Sequence, residues 1–263
     1  MYFLIAFLVA LVLCAVGFKK FVWFISIGYG FAIAGVGVAM VAMFWQSLEI
    51  VTVILSLLCI VYGVRLSGYL LIREMKSKSY QTTMKNDIKD GSSMKFIAKF
   101  FIWISCGLLY VLEVCPILFR LQNSVKTDVA AIVGTIIMAL GIILESASDI
   151  TKNNFKQKNP KRFCDVGLFK IVRCPNYLGE VLIWTGVFVS GVTALNGVLQ
   201  WVCAISGYLA IVYIMFGGAR RLEIRQNKNY GSDPEYQAYV KKVPILLPLV
   251  PLYSVEKYKW LVG

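Results

Sequence analysis

Glu145 and Asp149 stand four residues apart, ahead of Lys152 and Lys156. On a helix that spacing stacks the carboxylates on one face, and the two lysines continue it. Like charges repel, so the pair needs a partner. Such a pair, followed by cations, can accept hydrogen bonds from hydroxyls or amines while the cations neutralise a nearby phosphate. A solvated helix end held by local salt bridges is the other reading. Tyr62 and Arg65 are three apart and also share a face. A phenol beside a guanidinium has its pKa lowered, which suits proton donation. A packed tyrosine and a cation reaching for the membrane surface are the alternatives. The stretch Gly167–Glu180 reads GLFKIVRCPNYLGE. It turns at Pro175-Asn176 and starts a helix, whose N-terminal N–H groups suit anions. Arg173 precedes that turn. Glu180 lies in the first turn, as a cap or an acceptor. Arg221 and Arg225 repeat the four-residue spacing with cations. Glu49 and Glu113 read as further intramembrane carboxylates without an evident partner.

Other chemistries are excluded. The chain has no His, which removes the commonest metal ligand and general base. Zinc hydrolysis and His-based triads are therefore dropped, and no metal is expected. The seven Cys are odd in number and show no C-x-x-C spacing. Five of them lie in apolar runs, where Cys acts as a small hydrophobe.

The elements that must position these residues are membrane helices. Hydrophobic residues make up 59% of the 263 residues and charged residues 16%; the mean hydropathy is +0.72. Soluble domains hold less apolar and more charged sequence. This composition excludes a disordered chain and, despite a net charge of +13, a nucleic-acid binder. The expected fold is all-α: a polytopic membrane helix bundle, 1–263 as one integral membrane domain. Seven spans are predicted, near Tyr2–Phe18, Phe21–Phe44, Leu48–Ile72, Phe96–Phe119, Asp128–Ala147, Leu178–Val192 and Gly197–Gly217. The N-terminal run lacks the charged start and cleavage pattern of a signal peptide and reads as the first span. Four stretches (Lys19–Lys20, Arg73–Lys99, Lys152–Arg173 and Arg220–Lys259) hold 24 of the 27 Lys and Arg. That bias predicts the N-terminus outside and the C-terminus in the cytoplasm. The cytoplasmic cationic surface reads either as topology and lipid attraction or as a site for a polyanion such as a nucleotide. The stretch after Tyr230 reads as a short polar helix and a Pro-flanked interfacial segment.

Four motifs, taken in order, resemble the steroid 5-alpha-reductase superfamily, which includes sterol reductases and isoprenylcysteine carboxyl methyltransferases. They are Tyr62, Arg65, Tyr69 and Arg73; then Gly141, Glu145, Asp149 and Lys152. The third is Gly167-Leu168-Phe169 with Arg173, Pro175-Asn176-Tyr177, Gly179-Glu180 and Trp184. The fourth is Tyr230-Gly231, Glu235-Tyr236, Tyr239 and Pro248. The motifs cover about 62–251, a reductase-like core with a cytoplasmic cofactor site; residues 1–60 form helices without family marks. The family's His is Cys174 here, and the Gln-Glu pair that partners the tyrosine in steroid reductases is not identifiable.

The resemblance implies an oxidoreductase that takes hydride from NADPH and reduces a carbon–carbon double bond. The substrate would be a lipophilic enone: a steroid, sterol, isoprenoid or acyl lipid. Tyr62 matches the position that protonates or polarises the carbonyl oxygen. Glu145 and Asp149, at the carboxylate-rich end of the fifth span, match the adenosine and ribose side of the cofactor site, and Arg65, Lys152 and Lys156 are further cofactor-binding candidates. Asn176, Tyr177 and Glu180 match the nicotinamide side, and Arg173, Arg221 and Arg225 would neutralise phosphates. Abundant Lys and Arg fit the 2′-phosphate of NADPH. The alternatives are an S-adenosylmethionine-dependent membrane methyltransferase of the isoprenylcysteine carboxyl methyltransferase type, and a non-enzymatic membrane protein.

Overall fold

A computed structural model describes residues 1–76 and 94–262. Lys78, Lys85 and Lys89, counted in the second basic stretch, lie outside the described residues. Every regular element among the described residues is helical. The helices are α1 (Tyr2–Cys14), α2 (Ile27–Met43), α3 (Ile50–Lys76), α4 (Phe96–Gln122), α5 (Val129–Lys158), α6 (Pro175–Gly191), α7 (Gly197–Tyr230) and α8 (Pro234–Lys242). Short 3-10 turns cover Ala15–Phe18, Phe21–Ile25 and Gly167–Lys170.

Five helical stretches are long and apolar enough to cross a membrane: Phe21–Met43, Ile50–Lys76, Phe96–Gln122, Val129–Lys158 and Gly197–Tyr230. The chain is a polytopic membrane helix bundle. The first and sixth predicted spans are helices too, but shorter, α1 having 13 residues and α6 having 17. Helix lengths explain where the polar residues lie. At about 1.5 Å per residue, the 34 residues of α7 reach about 51 Å and the 30 of α5 about 45 Å. A bilayer's hydrocarbon is only about 30 Å thick. Both helices therefore project beyond it, and their projecting turns carry Asp149–Lys158 and Arg220–Tyr230.

The chain divides into two compact units, residues 1–135 with 187–208 and residues 136–186 with 209–263. In the first, α2 and α3 pack at Gly30 and Gly63. A Cβ on Gly63 would stand 2.1 Å from the Gly30 carbonyl oxygen, so only glycine permits this approach. Arg120 is fully buried at the end of α4, and each of its three nitrogens has a partner. Its Nε donates to the Ser190 carbonyl (2.7 Å) and Nη1 to the Lys126 carbonyl (2.8 Å), while Nη2 pairs with Asp128 (2.9 Å) and Thr193 Oγ1 (2.6 Å). Glu49 departs from its predicted place. It precedes α3 rather than lying within a span, and its carboxylate accepts hydrogen bonds from the Thr127 N–H and hydroxyl. Those bonds hold its carboxyl below the usual range. The apolar run of α3 starts only after it, at Ile50.

The second unit has its own core, in which Cys174, Val181, Ala219, Leu222, Ile245 and Leu246 are buried together. Before Pro175 the chain makes the 3-10 turn Gly167–Lys170, and Arg173 and Cys174 then pair with a distant stretch. The Arg173 N–H donates to the Pro244 carbonyl (2.9 Å) and the Cys174 N–H to the Ile245 carbonyl (3.0 Å). The short polar helix beyond α7 is α8. Asp233 caps it by accepting from the Glu235 N–H, with Pro234 at its first position.

Candidate functional site

Gly141, Glu145, Asp149 and Lys152 line one stripe of α5. Asn176, Gly179, Glu180 and Ile183 line one stripe of α6. The two stripes meet. A Cβ on Gly141 would stand 2.7 Å from the Ile183 nitrogen and 2.8 Å from the Gly179 oxygen. A Cβ on Gly179 would stand 2.8 Å from both the nitrogen and Cβ of Glu145. Residue numbers rise on α5 as they fall on α6, so one further turn brings Asp149 level with Pro175 and Asn176. Two motifs some thirty residues apart in sequence thus form one end of the unit. The charge of Lys152 is felt at Cys174 from that side.

Glu145 is buried, while Asp149, Lys152 and Tyr177 are half-buried. Asn176 sits in the first turn of α6, and its Oδ1 is buried with no hydrogen-bond donor among the described residues. Such an atom is costly unless a ligand or water supplies an N–H or O–H. Glu180 accepts from Trp184 Nε1 at 3.0 Å, so the motif's glutamate and tryptophan hold one another within α6. The Tyr177 ring lies against Gly218, where a Cβ would come within 3.3 Å of it.

Arg173 is 1% exposed. Its Nη2 donates to Glu223 Oε1 at 2.8 Å and to the Tyr253 carbonyl. Glu223 Oε2 accepts from the Val255 N–H at 2.8 Å. The ion pair thus ties α7, the turn before α6 and the stretch after Ile245 into one knot. Arg173 Nε and Nη1 are buried without a hydrogen-bond acceptor among the described residues. Sequence reading missed Glu223. The available signal was a lone acid between Arg221 and Arg225, in register with apolar Ala219 and Leu222. Arg221 and Arg225 themselves are exposed. They share a face of α7 away from Glu223, so the structure does not gather them with the buried set.

Lys156 serves the fold. Its Nζ donates to the Tyr230 hydroxyl (2.8 Å) and to the Pro160 and Arg162 carbonyls. The tyrosines of the fourth motif pack around Phe163. Tyr236 and Tyr239 both lie at 5.2 Å between centroids, and the Tyr239 hydroxyl donates to the Phe169 carbonyl at 2.7 Å. Burial pushes the Tyr236 phenol and the Cys174 thiol each up to about 12 and raises Tyr239. Burial thus disfavours the charged form of all three.

Tyr62 and Arg65 belong to the first unit. Tyr62 is fully buried, its ring edge-on to Tyr29 at 6.1 Å. The Arg65 and Arg73 guanidiniums lie 5.8 and 5.4 Å from the Tyr69 ring, a cation–π ladder along α3. Among the described residues no cluster of His, Cys, Asp and Glu could hold a metal ion.

The comparisons with known proteins add one relative and one family. The Schizosaccharomyces pombe (strain 972 / ATCC 24843) protein described as "Uncharacterized protein C594.04c" is 34% identical over 86 residues. That match covers 33% of this chain and 24% of the relative, so the chain matches about a quarter of the relative's length. No solved structure matches. The sequence profile of the family described as "Protein of unknown function (DUF1295)" matches residues 7–243, and the chain belongs to that family.

Proposed function

We propose that this chain is an NADPH-dependent membrane reductase acting on the carbon–carbon double bond of a lipophilic enone, within the steroid reductase-like group that its motifs resemble. The supporting observation is the glycine-to-glycine crossing of α5 and α6. It sets the Glu145–Asp149–Lys152 stripe against the Asn176–Glu180 turn, two motifs that resemblance assigns to opposite halves of one dinucleotide.

The residues present fit such a ligand. Asn176 Oδ1 offers a buried acceptor suited to a carboxamide N–H, and Arg173 keeps two buried donors beyond its bond to Glu223. Asp149 is an acceptor suited to ribose hydroxyls, and Lys152 is a cation suited to phosphate. When bound, NADPH supplies hydride. The second unit contributes orientation and exclusion of water by the packed helix ends; the proton donor that resemblance assigns is Tyr62. Arg221 and Arg225, in solvent on the projecting part of α7, raise the local concentration of an anion.

The test is energy transfer from tryptophan to bound nicotinamide, measured on the purified chain in detergent. Saturable transfer at tens of micromolar NADPH or below, unaffected by S-adenosylmethionine, supports the reading. No NADPH binding, or displacement by S-adenosylmethionine, favours the methyltransferase alternative or a non-enzymatic role.

A further inference from the structure

A cavity of about 360 Å³ opens in the second unit between α7 and the stretch Leu252–Leu261. Leu209, Val212 and Phe216 line it from α7, with Tyr213, Tyr258 and Trp260 at its aromatic side. None of these is a cofactor candidate. The polar atoms around it are satisfied by the chain itself. The Tyr213 hydroxyl donates to the Trp260 carbonyl (2.6 Å) and accepts from the Val262 N–H (3.2 Å). Arg220 donates Nε to the Glu256 carbonyl (2.9 Å) and Nη1 to the Leu261 carbonyl (3.3 Å). What remains facing the cavity is apolar.

Its setting says what fills it. Leu209–Phe216 belong to the membrane-crossing stretch of α7, so the surrounding medium is hydrocarbon. Within about two turns the helix reaches Arg220 and Arg221, where the bilayer interface begins. Tyr213, Tyr258 and Trp260 line the cavity on the way there, the residue types that membrane interfaces favour. Lys257 and Lys259 are exposed on the same stretch. The neighbouring Glu256 carboxylate is taken by Asn227 Nδ2 at 2.6 Å. A greasy slot with stacked aromatics (Tyr213 on Trp260 at 6.1 Å) and exposed lysines next to its lining residues, Lys257 Nζ standing 5.2 Å from the Tyr258 ring, complements one kind of molecule.

We propose that this groove binds an anionic phospholipid, an acyl chain lying along Leu209–Phe216 and the phosphate meeting Lys257 and Lys259. The inference is independent of the reductase reading.

Native mass spectrometry of the full chain, titrated with dioleoyl phosphatidylglycerol or dioleoyl phosphatidylcholine, tests it. Both lipids carry the same chains, so any difference is the headgroup's. Phosphatidylglycerol should bind at lower concentration. Replacing both lysines by Gln (K257Q/K259Q) should weaken it by about tenfold or more and leave phosphatidylcholine unchanged. Leu209→Trp, at a position 58% exposed and so tolerant of size, should fill the slot and weaken both lipids. Equal binding of the two lipids to the native chain, or phosphatidylglycerol binding unmoved in K257Q/K259Q or in Leu209→Trp, overturns the proposal.

Discussion

Arg173 and Glu223 are 1% and 3% exposed and bond at 2.8 Å. Removing one partner of such a pair leaves a buried charge uncompensated, at a cost of about 3–5 kcal/mol. Glu223→Gln should therefore lower the unfolding temperature in detergent markedly. The double variant Arg173→Met with Glu223→Leu should fall less, because no charge is stranded. A second residue-scale expectation concerns pH. Burial raises the Asp128 carboxyl, but hydrogen bonds from Thr193, the Ala131 N–H and Arg120 outweigh it, so the group sits below its usual 3.8. Its stabilising effect is thus complete above that value and disappears as pH falls through the lower folded one. Asp128→Asn should unfold at a lower temperature than the native chain at neutral pH. The gap should close as pH falls well below the carboxyl's usual value, and a gap independent of pH would contradict the clasp around Arg120.

Elements carry the site because two glycines let α5 and α6 touch. Gly179→Leu would drive its side chain into the backbone of Glu145. It should separate the stripes, costing about 1–3 kcal/mol or more and abolishing NADPH binding; circular dichroism melting and the energy-transfer titration read the two effects. Retained binding at native affinity would show that the crossing does not position the site. Much at this scale was legible in sequence. Apolar runs of twenty or more residues set the long helices, and the capped polar segment after Tyr230 gave α8. The pairing of 173–174 with 244–245 was not legible, because backbone hydrogen bonds between distant stretches leave no side-chain pattern. Glu223 was masked by its arginine neighbours. Exposed Arg221 and Arg225 read like site residues because spacing alone shows that two side chains share a face, not which way that face looks. Arg120 was hidden because a cation at a helix end looks the same in sequence whether solvated or buried.

For the whole molecule, the hydropathic helices place the chain in a lipid bilayer, and the projecting turns of α5 and α7 carry its charge out of it. The central claim is that the buried acceptor of Asn176, the carboxylates of α5 and the guanidinium of Arg173 serve one dinucleotide. The most direct measurement is mass spectrometry of small molecules released when the chain, purified in mild detergent, is denatured. The account predicts NADPH or its oxidised form from the native chain, and its loss from Asn176→Ala and Asp149→Ala variants that keep the native unfolding temperature. Release of S-adenosylmethionine instead, or equal nicotinamide cofactor from both variants, would contradict it.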